Sequence, residues 1–177
     1  MDTAEQQRKL LAMIKGTYTP AENDDPYLRQ VAASRGLAVA REVATFWRLY
    51  DMERYCVLTL RLLEDRGIYE ETVSDFVQTH ALSAFINVVG ESFLLSLAES
   101  EDSLLSEVSR FELALTRVKR GDPGSYTLEW EHDPVQVLAC LVREIPIDSD
   151  QIAGRGRVVV SAGIPGYFRI ETSENLG

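Results

Sequence analysis

The spacing of apolar residues changes once along this chain of 177 residues, and that change constrains the fold more than any other feature. Up to Lys119 apolar residues recur at helical spacing; after Gly121 they alternate. The stretch "LLSEVSRFELALTRV", residues 104–118, puts Leu104, Val108, Phe111, Leu115 and Val118 on one helical face. "YTLEW" then alternates as a strand, and "RVVVSAGIPGYFRIE" has the pattern of a β-hairpin turning at Gly163 to Gly166. The expected fold is α+β, mainly α. An N-terminal helical bundle of about five or six helices (1–120) precedes a small β-rich appendage (121–177) packed on that body.

Local signals place the boundaries. Thr3 and Gln6 suggest a capping box opening a helix at about 4–15. Asp25 followed by Pro26 suits a cap and first turn. The helical pattern runs from Pro26 to about Arg66, with a break expected at Gly36 and a stop at Gly67. Residues 70–99 read as one or two helices, grouping Phe76, Val77 and His80, then Ala84, Val88 and Leu95. Ser103 is the expected cap of the helix that follows. Asp133 and Pro134 suit a short helix to about Arg143, although Val135, Val137, Ala139 and Leu141 also alternate.

Apolar residues form 45% of the chain, enough to bury a core. No apolar run approaches the roughly 20 residues of a membrane span. The polar start "MDTAEQQRKLL" lacks the pattern of a secretion signal, so a cytoplasmic location is expected. Net charge is −10; residues 1–120 carry 14 basic and 19 acidic side chains, and residues 121–177 carry 4 and 9. Both parts are acidic, which weighs against nucleic acid and anionic membranes as partners.

Chemistry-bearing motifs are sparse. His80 and His132 are the two histidines, and neither belongs to a spaced ligand set. In "EWEHD", Glu129 and Glu131 would share a strand face and His132 would oppose them, which splits the ligands. Cys56 and Cys140 sit among apolar neighbours and read as core residues. "GRGR", residues 154–157, lacks the context of a phosphate loop, and Ser161 is not in a nucleophile elbow. No metal or cofactor is expected.

Charges are unevenly distributed. Arg29, Arg35, Arg41, Arg48, Arg54, Arg61 and Arg66 are interleaved with carboxylates and read as an ion-paired surface. Residues 69–112 hold nine carboxylates and one basic residue, Arg110. On the 104–118 helix, at about 100° per residue, Glu107 and Glu112 border the apolar stripe and Arg110 lies within reach of Glu107. Leu113 points almost opposite the stripe, which implies a second contact surface, for another helix or for a partner.

At this helix the sequence resembles the HvfC-type family, long labelled a DNA-binding domain. The matching residues are Leu105, Glu107, Arg110, Phe111, Glu112, Ala114, Leu115 and Val118. "RLYDMERYCVLTLRLL" and "YEETVSDFVQTHAL" are similar to the preceding helices, and the likeness covers about residues 46–142. The family's Tyr-Arg-Asn-Asn segment is not preserved around Tyr50, and the chain is shorter; it also looks like the MbnC-like partner proteins. The resemblance implies a non-catalytic accessory subunit. Its partner would be a multinuclear iron enzyme that oxidatively modifies cysteines in a ribosomally made peptide, with the iron ligands on the enzyme. The alternatives are a DNA-binding regulator and a stand-alone enzyme.

The expected docking site is the hairpin. An unpaired strand edge accepts an extended peptide as an added strand. Tyr167 and Phe168 should face opposite ways, one into the core and one toward the guest. Arg155, Arg157 and Arg169 would attract an acidic peptide, and Leu113 is the second candidate contact.

Overall fold

The computed structural model describes residues 2–79 and 86–172. His80 and Ala84 lie outside the described residues, as do the side chains of Arg48 and Asp51. The elements run α1 (Thr3–Ile14), α2 (Pro26–Ala32), α3 (Arg35–Tyr55), α4 (Val57–Asp65), α5 (Tyr69–Thr79), α6 (Ile86–Ala98) and α7 (Ser103–Lys119). There follow β1 (Ser125–His132), α8 (Pro134–Arg143), β2 (Ala153–Ser161) and β3 (Phe168–Thr172). The fold is α+β and mainly α. Seven helices precede Gly121 among the described residues, rather than five or six.

The additional helices arise where one long helical run is divided. Ser34 accepts the Leu37 N–H at 3.2 Å and starts α3, so the break falls at Ser34 and Gly36 lies inside the helix. Cys56 divides α3 from α4 without Gly or Pro. Asp25 caps α2 through the Tyr27 N–H, and Asp133 caps α8 through Val135 and Gln136, each followed by Pro at the first helical position. Two expected caps differ. Asp102, not Ser103, accepts the Leu105 N–H, and α1 starts at Asp2 and Thr3 with no side-chain cap bond.

The sheet is antiparallel in the order β1-β2-β3. Its inner face carries Val158 and Val160, both fully buried, and Trp130. They share one core with Val108, Phe111 and Leu113 of α7 and Val137, Leu138 and Leu141 of α8. Phe111 packs edge-on against Trp130 and Phe168, at 6.3 and 5.2 Å. The C-terminal segment is thus built onto the helical body. A second, smaller core of Met13, Leu28 and Leu37 holds α1, α2 and α3 together.

Helix α7 is central. Its buried residues include Leu104, Glu107, Val108, Phe111, Glu112, Leu113 and Val118, which cover more than one face. Leu113 therefore packs against the protein's own core and offers no outer docking surface.

Candidate functional site

The charged residues of α7 hold the fold together. Glu107 accepts the Glu131 N–H at 2.6 Å and contacts His132 Nδ1 at 2.8 Å, pinning β1. Glu112 accepts the N–H groups of Leu58 and Thr59, at 2.9 and 3.0 Å. These are orphan donors in the first turn of α4, so α7 caps α4 from across the core. Burial raises the Glu112 carboxyl to about 7, against the lowering effect of those two N–H donors. Arg110 Nε and Ser106 Oγ both donate to the Ala98 carbonyl at the end of α6, at 3.0 and 2.7 Å.

Several arginines of the 29–66 series do similar work rather than forming only a solvated surface. Arg41 Nε donates to the Met13 carbonyl near the end of α1. Arg61 reaches the Leu141 carbonyl at the end of α8, and Arg66 pairs with Asp102. Burial raises the Cys56 thiol well above its ordinary value, in keeping with a core residue. Cys140 is also buried.

The hairpin residues divide into three groups. Phe168 turns inward onto Phe111. Tyr167 lies in the turn with a positive φ of 72° and is 40% exposed. On the outer face, Arg157 bonds Glu129 at 2.6 Å and approaches Glu171 at 3.9 Å, and Arg169 bonds Glu171 at 2.9 Å. This ladder crosses all three strands and balances two positive charges with two negative ones, so the arginines do not form the bare basic patch expected of them. Arg155 lies at the start of β2. It lines a cleft of about 760 Å³ with Arg110, Glu107, Glu129, Trp130 and Glu131.

The two sheet edges are treated differently. The Ser161 N–H donates to the Tyr167 carbonyl at 2.8 Å. Carried along the register, this makes Val159–Arg169 and Arg157–Glu171 the hydrogen-bonded pairs. The backbone groups of Phe168 and Ile170 then point outward from β3. On β1 the same register turns Thr127, Glu129 and Glu131 outward, and the Glu131 N–H is taken by Glu107; β1 and β3 each pair only with β2 among the described residues.

A further surface was not anticipated from the sequence. On α3, Val39, Val43, Phe46, Trp47 and Tyr50 are all exposed, Phe46 by 60% and Trp47 by 53%. Taking Val39 as zero at about 100° per residue, they fall between about −20° and +80°. The rings contact one another at 5.7 to 6.4 Å. Leu37 and Met52, on the opposite side, are buried. The signal was present as two apolar faces on one helix, which weakens its amphipathic contrast.

Among the described residues no group of three or more His, Cys, Asp or Glu is placed to hold a metal ion, and no helix is long and apolar enough to cross a membrane. No family model matches the chain, and no significant match to a curated protein or a solved structure was found.

Proposed function

We propose that this protein is an accessory binding subunit that receives an extended peptide along β3. The observation that carries the reading is the edge of β3, which keeps the backbone groups of Phe168 and Ile170 outward, while on the other edge the outward Glu131 N–H of β1 is already covered by Glu107. A guest strand would bond to those groups. The resemblance of the Leu105–Val118 helix supports, as the partner, a multinuclear iron enzyme that modifies cysteines of a ribosomally made peptide.

The test has two arms. In the first, the protein is co-expressed with an iron enzyme and a short cysteine-containing peptide encoded beside it; a stable complex is expected, and its absence overturns the proposed partner. In the second, amide exchange is followed on adding that peptide. Protection gained at Phe168 and Ile170, with little change at Arg169 and Glu171, is expected; protection confined to other elements overturns the β3 site.

A further inference from the structure

The stripe on α3 is independent of the β3 edge. It presents five neighbouring apolar side chains, three of them aromatic, on a helix of 21 residues. Isolated exposed apolar residues are ordinary, but a contiguous patch of this kind marks a contact surface. Its flanking charges indicate what covers it. With Val39 at zero, Arg35 and Glu53 both fall near −40°, on the same margin and at opposite ends of the stripe. Both are exposed.

We infer that α3 docks against α3 of a second copy of this chain, antiparallel, about a two-fold axis passing near residues 44 and 45. A two-fold perpendicular to the helices keeps each margin facing its own counterpart. Arg35 of one copy then lies level with Glu53 of the other, within about one residue's rise of 1.5 Å, and symmetry makes this pair twice. Val39 meets Tyr50, and Val43 meets Phe46 and Trp47, so the apolar residues cover one another. A parallel pairing, about an axis along the helices, would set this margin against the opposite one and leave Arg35 and Glu53 at different levels, so neither pair would form. Self-complementarity of a single patch is the property an isologous dimer requires. Arg54, near +60°, falls within the arc of the stripe and lies level with Gly36 of the second copy, and Glu42, exposed near −60°, approaches its own counterpart across the axis, a repulsion that the two Arg35–Glu53 pairs outnumber.

Sedimentation equilibrium of the full chain from about 1 to 100 μM, a range that brackets micromolar affinity, tests the inference. A dimer is expected for the natural sequence and a monomer throughout for Phe46→Asp. Arg35→Glu and Glu53→Arg should each weaken the dimer by about tenfold, and the double variant should regain most of that loss. All these side chains are exposed, and circular dichroism should show unchanged helix content. Acrylamide quenching gives a second reading, because Trp130 is buried and Trp47 is not; quenching should fall as the dimer forms. A natural chain that stays monomeric overturns the inference, as does a dimer that survives Phe46→Asp. A dimer lost in Phe46→Asp but not restored by the charge exchange overturns the antiparallel register. Trp47 shielded at every concentration in a monomer would show that the chain itself covers the stripe, and also overturns it. None of these outcomes depends on peptide binding at β3.

Discussion

Glu112 lies 54 residues beyond Leu58 in the chain, yet its Oε1 accepts the Leu58 N–H at 2.9 Å. The bond places an ionisable group in the core to close the start of a helix, and burial raises its carboxyl from 4.5 to about 7. An acid whose folded value is raised binds protons more tightly when folded. Its contribution to stability is complete below about pH 4.5 and is lost as pH rises through about 7. Urea unfolding between pH 5 and pH 8 should therefore show a loss on the order of 2 kcal/mol from this group. Glu112→Gln should flatten that dependence while leaving one N–H of α4 poorly satisfied. An unchanged pH profile in the variant would assign the dependence elsewhere.

Glu107 is the corresponding anchor for β1. Glu107→Ala removes the acceptor for the Glu131 N–H and the partner of His132, and should destabilise by about 2 kcal/mol. His132→Ala leaves the Glu131 bond in place and should cost less. A double-mutant cycle read by denaturant unfolding should give a coupling of about 1 kcal/mol; strict additivity would show that the two side chains do not cooperate.

Gly156 allows α8 to lie against the sheet. A Cβ there would sit 2.7 Å from Pro134 Cδ and 3.3 Å from the Glu171 carbonyl. Gly156→Ala should therefore lower stability by about 1–3 kcal/mol, measured as a fall in the urea midpoint. Gly163→Ala is the control, because a Cβ at Gly163 meets nothing within 4 Å and its cost should be smaller.

Much of the architecture was legible where the signals are local. Asp25-Pro26, Asp133-Pro134 and Gly67 mark helix ends through their own backbone neighbours, and the alternation of 157–171 located the hairpin. The division at Cys56 was not legible, because it depends on bonds from Glu112 rather than on a local breaker. Leu113, opposite the stripe, marks a second contact surface for another helix or for a partner; the structure buries it in the protein's own core, and the spacing within 104–118 does not distinguish the two. The candidate site was less legible still. Arg157 and Glu129 are 28 residues apart, so their neutralisation follows from strand register. The α3 stripe was hidden differently: apolar residues at helical spacing ordinarily signal core, and only the packed structure separates Leu37 and Met52 from Phe46 and Trp47.

The dependence of α4 and β1 on α7 also has a consequence for synthesis on the ribosome. The chain emerges from its N-terminus, so the first turn of α4 is made long before the side chain that closes it, and β1 is made after the one that anchors it. Helix α4 must therefore wait, with donors exposed to water, until α7 has left the exit tunnel. The small Met13–Leu28–Leu37 core has no such debt to later residues and can form first. A nascent chain stalled before Glu112 is released should hold that small core while the rest remains open to chaperones or proteases.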